Sequence, residues 1–234
     1  MSVLQKIKYK IHLKNDLKRR LKIITNCNID ILIDIGANTG QYSKKMRNLG
    51  FNKKIVSFEP LKEAFEILKR NASDDNNWIV YNYAIGNEDT SGIINVSEKS
   101  DCSSILNMLP DHINSASGLE YISQQEITIK KLDSVFNSIA NNSDKVMVKI
   151  DTQGFEKNVI DGALESLKRI SIIQIEMSIV PMYENEMLFI DMIKYLEKMN
   201  FQLYSIENGH FNRKTGQLLQ VDGIFVNKTL LKNH

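Results

Sequence analysis

From residue 30 onward the chain alternates short apolar runs with amphipathic stretches of helical period, and that rhythm leaves few folds open. Ile31–Ile35 is nearly continuous in apolar residues, broken only by Asp34, and ends in a glycine turn. Such a run suits a strand buried on both faces of a parallel sheet. A helix is expected over 41–49, a strand over Lys54–Phe58 and a helix opening near Pro60 with Leu61, Phe65 and Leu68 as its buried stripe. A third strand is expected over Trp78–Tyr83. Strand, helix and strand at this spacing form right-handed crossover units.

The alternation breaks at 86–126, a polar stretch with only short strand-like pieces, Ile93–Val96 and Ile127–Ile129 at its end. It is expected to be an insertion that helps form an acceptor site or lid, with Asp101-Cys102-Ser103-Ser104 a polar cluster whose plain reading is a solvated loop. The rhythm then resumes with a strand at Val146–Ile150, a helix at Phe155–Leu167, a strand at Ile172–Ile175 and a helix over 186–199. The last two strands, Phe201–Ile206 and Val221–Val226, are separated by Asn208-Gly209 and Thr215-Gly216. That is turn chemistry, so these strands should pair antiparallel. His210 on this turn reads as an exposed loop residue.

At 234 residues the chain fits one α/β domain. The expected boundaries are a basic helical extension at 1–29, the main domain at 30–228 and a tail at 229–234. Two cysteines, Cys27 and Cys102, stand far apart in no CxxC pattern. That argues against a disulfide framework and a structural zinc site, and for a reducing cytoplasm. MSVLQKIKYK lacks the apolar stretch of a secretory signal, and no segment approaches a membrane span. A net charge of +2 gives no whole-molecule field that calls for nucleic acid. Lysines and arginines do crowd residues 1–29, interleaved with apolar residues at helical spacing. The plain reading is a helix covering an edge of the core; the sharper one is peripheral contact with anionic lipid or an acidic acceptor.

Three motifs carry chemistry. In Asp34-Ile35-Gly36-Ala37-Asn38-Thr39-Gly40 the small residues follow a buried strand, so a ligand can lie against the backbone. Ligands of open α/β sheets sit beyond the carboxyl ends of the strands. The spacing is GxxxG, neither the GxGxxG of dinucleotide binders nor a P-loop. In Ser57-Phe58-Glu59-Pro60 the acid ends the second strand, where a carboxylate can accept both ribose hydroxyls. Its plain alternative is an acid favoured by a helix dipole. Together the two motifs indicate an adenosine ligand, and the missing pyrophosphate motif favours S-adenosylmethionine over NAD. The third motif, Lys149-Ile150-Asp151-Thr152-Gln153-Gly154-Phe155-Glu156, closes the fourth strand. Lys149 and Asp151 lie on one strand face and can interact; the plain reading is a structural ion pair with Glu156 in the first turn of a helix. Glu176, ending the fifth strand, is a further candidate.

These blocks resemble the FkbM-type methyltransferase family. The matching segments are IDIGANTGQYS at 33–43, VSFEPLKEAFEILKRN at 56–71, YAIGN at 83–87, KLD at 131–133, KIDTQGFEKNVIDGA at 149–163 and IIQIE at 172–176, with VDGIFVN at 221–227 a plausible end of the same domain. The resemblance implies a class I methyltransferase fold: a Rossmann-like α/β three-layer sandwich with a seven-strand, mostly parallel sheet and an antiparallel C-terminal hairpin. It implies S-adenosylmethionine as cofactor, with contacts at Asp34, Gly36, Ala37, Asn38 and Gly40, and at Glu59, Pro60 and Ala84. It also implies methyl transfer to a hydroxyl oxygen of a sugar, glycan or natural-product acceptor. Asp151 is the first candidate for base or acceptor orientation, Glu176 the second, with Lys149 beside them. The family often has Glu where this chain has Gln153, and the amide receives no proton-transfer role. Asp151, Glu156 and Glu176 could offer oxygen ligands to a divalent metal, but no spacing demands one. Two other readings stand beside this one: a different nucleotide-cofactor Rossmann enzyme, and a non-catalytic adenosine-binding domain.

Overall fold

A computed structural model describes residues 3–113, 115, 118–212 and 214–231, with side chains from Asn15 onward except that of Asp111. The elements run α1 (Val3–Asn26), β1 (Ile31–Ile35), α2 (Gln41–Asn48), β2 (Lys54–Phe58), α3 (Lys62–Ala72), β3 (Trp78–Tyr81), β4 (Ala84–Ile85), β5 (Thr90–Ser97) and the single turn α4 (Pro110–Ile113). They continue with β6 (Tyr121–Lys130), α5 (Leu132–Ile139), β7 (Val146–Ile150), α6 (Glu156–Asp161), β8 (Ile170–Ser178), α7 (Phe189–Lys198), β9 (Phe201–Asn208), β10 (Gln220–Asn227) and the single turn α8 (Lys228–Leu231).

Seven strands form the main sheet in the order β3-β2-β1-β7-β8-β10-β9. The first five are parallel, and β10 runs antiparallel to both β8 and β9. The all-apolar runs become the central strands: every residue of β1 and β7 is buried. Ile33, Val148, Ile173 and Phe225 face one core, shared with Phe136 of α5, Val159 of α6 and Leu196 of α7. Leu32, Met147, Ile172 and Ile224 face the other, with Ile23 and Ile24 of α1, Met46 of α2 and Leu68 of α3. The result is the expected three-layer α/β sandwich. Among the described residues no helix is long and apolar enough to cross a membrane. The side chains of residues 1–14, which carry much of the basic patterning, lie outside the described residues.

The stretch over 86–126 departs from expectation. Its strands are longer than the expected short pieces: β5 and β6 are eight and ten residues long and, with β4, build a second three-stranded sheet. Ile94, Ile127 and Ile129 pack on Leu61 and Ala64, while Ile93, Ile122, Glu126 and Thr128 meet solvent. On the opposite side of β5, Asn95 and Ser97 are buried and bonded to the Ser103–Ser104 segment. Polar residues thus fill much of both strands, which hides them from a search for apolar runs. Nor is Asp101–Ser104 simply a solvated loop. Ser103 and Ser104 are buried, and the Ser104 hydroxyl donates to the Gln153 carbonyl at 2.6 Å.

The helix expected over Phe155–Leu167 is also shorter. It ends at Asp161, and a 3-10 turn over Ser166–Arg169 follows. Two contacts explain the break. The Gly162 carbonyl accepts the Asp133 N–H at 3.0 Å instead of continuing the helix. The Asp133 carboxylate then accepts the Ser166 N–H at 2.7 Å, its hydroxyl at 2.6 Å and the Glu165 N–H at 3.1 Å. The aspartate of the KLD block is thus a cap. Asp133→Ala is expected to lower stability by about 1–2 kcal/mol, as losses of helix caps do, read by urea denaturation. Cofactor affinity by calorimetry should not change. Likewise, α7 starts at Phe189 rather than 186, because Glu186 turns back to accept the N–H groups of Met182 and Tyr183.

Candidate active site

The carboxyl edge of the main sheet opens into a cavity of about 400 Å³. The turn after β1 forms its floor. Gly36 has φ +75°, and a Cβ there would lie 1.9 Å from the Asp151 carbonyl oxygen. Only glycine satisfies both the dihedral and the approach of β1 to β7. The Gly36 and Ala37 N–H groups donate to the Phe58 carbonyl, which ties this turn to β2.

Glu59 follows β2 and is 5% exposed. One carboxylate oxygen accepts the Asn38 N–H and the other the Leu61 N–H, each at 2.8 Å. Burial pushes its pKa up to about 7, against the pull of those two donors. Leu61, Ala84, Ile85, Ile94 and Ile105 supply an apolar wall beyond it, and Pro60 lies on the same side. Ser100 accepts a hydrogen bond from the Asn38 side chain at 2.9 Å, so the second sheet's loop closes over the glycine turn.

The other side of the cavity is polar. Asp34, Lys149 and Gln174 are register partners on β1, β7 and β8 and stand side by side on one sheet face. Asp34 is wholly buried, accepts the Ser43 hydroxyl at 2.8 Å and lies 3.7 Å from Lys149. Burial raises its pKa, and Lys149 and Ser43 oppose the rise. Lys149 donates to Asp151 at 3.0 Å. Burial would lower the lysine's pKa, but Asp151 and Asp34 outweigh it and hold the ammonium charged. Tyr42 closes the row from α2, donating to Gln174 at 2.7 Å, and Gln174 donates to Asp222 of β10 at 3.2 Å.

Asp151 projects into the cavity with its side chain one-third exposed (33%). Its oxygens accept from Lys149 and, at 2.8 Å, from the Gln153 side-chain amide. That amide also donates to Glu176 at 2.8 Å and accepts the Tyr183 hydroxyl at 2.7 Å. Gln153 has φ 55°, a conformation that non-glycine residues seldom adopt. Glu156 fixes this turn by accepting the N–H groups of Thr152 and Gly154. Burial pushes the Glu156 pKa up to about 7 and raises that of Glu176 well above the usual range, with Asp151 and Asp222 adding to the latter.

Of the residues singled out from sequence, Gly36, Ala37, Asn38, Glu59, Pro60 and Ala84 line the cavity, as do Lys149 and Asp151. Three stand behind its wall. Asp34 anchors Lys149, Gly40 backs onto Trp78 and Leu68, and Glu176 sits beyond Gln153. Arg20, Tyr42, Gln174 and Asp222 line the cavity without having been expected there. Of these, Tyr42, Gln174 and Asp222 lie in quoted blocks (33–43, 172–176 and 221–227), and Arg20 lies in none. His210 is not simply an exposed loop residue: it is partly covered, with its ring near Ser115 and His112. Among the described residues no group of three or more His, Cys, Asp or Glu is arranged to hold a metal ion.

Comparison with known proteins places this geometry. The model of the methyltransferase FkbM domain matches residues 34–203. No curated protein matches the chain significantly. Among solved structures, one similar chain is magnesium protoporphyrin IX methyltransferase from Synechocystis with bound S-adenosylmethionine, at TM-score 0.50 and 8% identity, covering 97% of this chain and 85% of that one. Another is TehB from Haemophilus influenzae, at TM-score 0.50 and 11% identity, covering 92% of this chain and 62% of that one. At such identities the likeness is one of fold.

Proposed function

The chain belongs to the FkbM methyltransferase domain family and is an S-adenosylmethionine-dependent methyltransferase, and from that premise we propose that it methylates a hydroxyl oxygen on a sugar, glycan or natural product. The observation that carries this reading is Asp151, a carboxylate pinned by two donors and facing a cavity otherwise rich in neutral hydrogen-bonding groups: Asn38, Gln41, Ser100, Ser103, Thr152 and Gln174. Polyhydroxyl ligands are bound by such groups.

The residues present fit the cofactor. The Gly36 turn leaves room where a side chain would block the backbone. Glu59, with both oxygens already held, is fixed to accept two ribose hydroxyls, and the Leu61–Ile105 wall suits a flat base. When bound, the cofactor supplies an electrophilic methyl on a positively charged sulfur. Asp151 would take the proton from the acceptor hydroxyl, using the lone pairs that Lys149 and Gln153 leave free, and so leave the oxygen free to accept the methyl group that the bound cofactor would supply. Lys149 orients Asp151, and the loop at Ser100–Ser104 excludes water from the reacting pair.

The test is transfer of a labelled methyl group from S-adenosylmethionine to a panel of neutral glycosides, acidic sugars, phenols and amines, with products mapped by mass spectrometry. Methyl ethers of sugar hydroxyls are the expected products. Methylation confined to amines or carbon would overturn the oxygen reading.

A further inference from the structure

The polar side of the cavity holds a buried cation that the catalytic residues do not use. Arg20 lies on α1, before the segment matched by the family model. It is 7% exposed, yet lines the cavity. One guanidinium nitrogen donates to Glu207 of β9, and the group lies over the Tyr42 ring, 5.1 Å from its centroid. Its Nε is buried and donates to no acceptor among the described residues. A buried donor without a partner costs about 1–3 kcal/mol and calls for an acceptor.

The sheet order says which part of the cofactor lies here. Glu59 directly follows β2, and Asp222, close enough to Arg20 to act on its charge, is on β10. Those strands are four spacings apart, roughly 19 Å at the usual strand separation. With the ribose held at Glu59 and the base against the apolar wall, the amino-acid tail runs the other way along the edge. That tail is a zwitterion, with a carboxylate and an ammonium on one carbon. The far end carries the complementary pair, Arg20 with Lys45 at the rim and Asp222 opposite. Lys149 is not available, because Asp34 and Asp151 hold it.

We propose that Arg20 is the anchor for the cofactor's α-carboxylate, supplied by the N-terminal helix, with Asp222 facing the α-ammonium. The inference rests on the cofactor reading above. It gives α1 a part in cofactor binding, since the helix that covers the core also completes the pocket.

The test needs no acceptor. Binding of S-adenosylhomocysteine and of 5′-methylthioadenosine, which has the same nucleoside and sulfur but no amino-acid tail, is measured by calorimetry. Because Arg20→Met alone would strand the buried Glu207 carboxylate, the comparison is Glu207→Gln against Arg20→Met/Glu207→Gln. The double variant is expected to bind S-adenosylhomocysteine at least about tenfold more weakly, as loss of a charge-assisted pair implies, and methylthioadenosine equally well. Lys45→Met should change S-adenosylhomocysteine binding less than about threefold. Unchanged binding of both ligands, equal weakening of both, or a larger effect at Lys45 overturns the proposal. A second measurement uses wild type alone, so it stands even if the variants do not fold: the methyl ester of S-adenosylhomocysteine should bind at least about tenfold more weakly than the free acid. Equal affinity overturns the proposal. Failure of wild type to bind S-adenosylhomocysteine at all would instead sink the cofactor reading.

Discussion

Replacing Glu59 with Gln is expected to weaken S-adenosylhomocysteine binding by at least about 100-fold, since hydrogen bonds to charged groups contribute about 1.5–3 kcal/mol each. The substitution is nearly isosteric but reverses one half of the group's chemistry. Glu59 accepts the Asn38 N–H at one oxygen and the Leu61 N–H at the other. An amide has a single acceptor oxygen, so its NH₂ must face one of those backbone donors. The turn loses a hydrogen bond and the ribose loses an acceptor. The same residue sets a pH dependence. In the unliganded protein the Glu59 pKa is pushed up to about 7 by burial. Ribose hydroxyls donate to the ionised form, so below about pH 7 binding must first expel a proton and affinity falls with pH. Folding has the opposite sign. A raised carboxyl pKa contributes stability that is fully present below the unfolded value and is lost as pH rises through about 7. Calorimetry between pH 6 and 8 should show wild-type affinity rising with pH and the slope disappearing in Glu59→Gln. A flat wild-type profile would mean that Glu59 is not the ribose acceptor.

The parts of the molecule that were legible in the sequence are those in which one residue type answers one local demand. β1 and β7 are buried on both faces and read as apolar runs. Gly36 is required by a positive φ and by the Asp151 carbonyl at its Cβ position. Glu59 is an acid immediately after a buried strand. What was not legible depends on tertiary partners. β5 and β6 bury polar residues such as Asn95 and Ser97 and expose Ile93 and Ile122, so no apolar run marks them. Arg20 sits among lysines and arginines that patterning assigns to solvent, yet it alone among the described residues of α1 reaches across to Glu207 and Tyr42. Gln153 reads as a lost carboxylate, whereas its amide donates to Asp151 and Glu176 at once. A glutamate there, if ionised, could donate to neither, so the amide is a means of seating two carboxylates beside one turn. Asp133 matched a family block for a reason unconnected with chemistry: it stops a helix.

Asp151→Asn is expected to reduce kcat by about 10²–10⁴, the usual contribution of a positioned base, while S-adenosylhomocysteine affinity stays within about threefold. The two readouts separate because the proposed function puts the acceptor at Asp151 and the nucleoside at Glu59 and the glycine turn. Asparagine fills the same space but offers one acceptor oxygen in place of two. If that oxygen faces Gln153, the new NH₂ is turned toward the Lys149 ammonium; if it faces Lys149, it is turned toward the Gln153 amide. Neither arrangement leaves a group able to take a proton. Some loss of stability accompanies the change, because Lys149 loses its hydrogen-bonded carboxylate and keeps Asp34, at 3.7 Å, and the more distant Asp222 as counter-charges. A thermal melt measures that part independently of turnover. Lys149→Met sharpens the assignment. It leaves the Asp151 carboxyl in place and removes the cation that orients it, so turnover should fall less than in Asp151→Asn. Full turnover in Asp151→Asn would remove Asp151 as the base. Proton acceptance would then have to be sought elsewhere along the cavity, which Asp101 also lines.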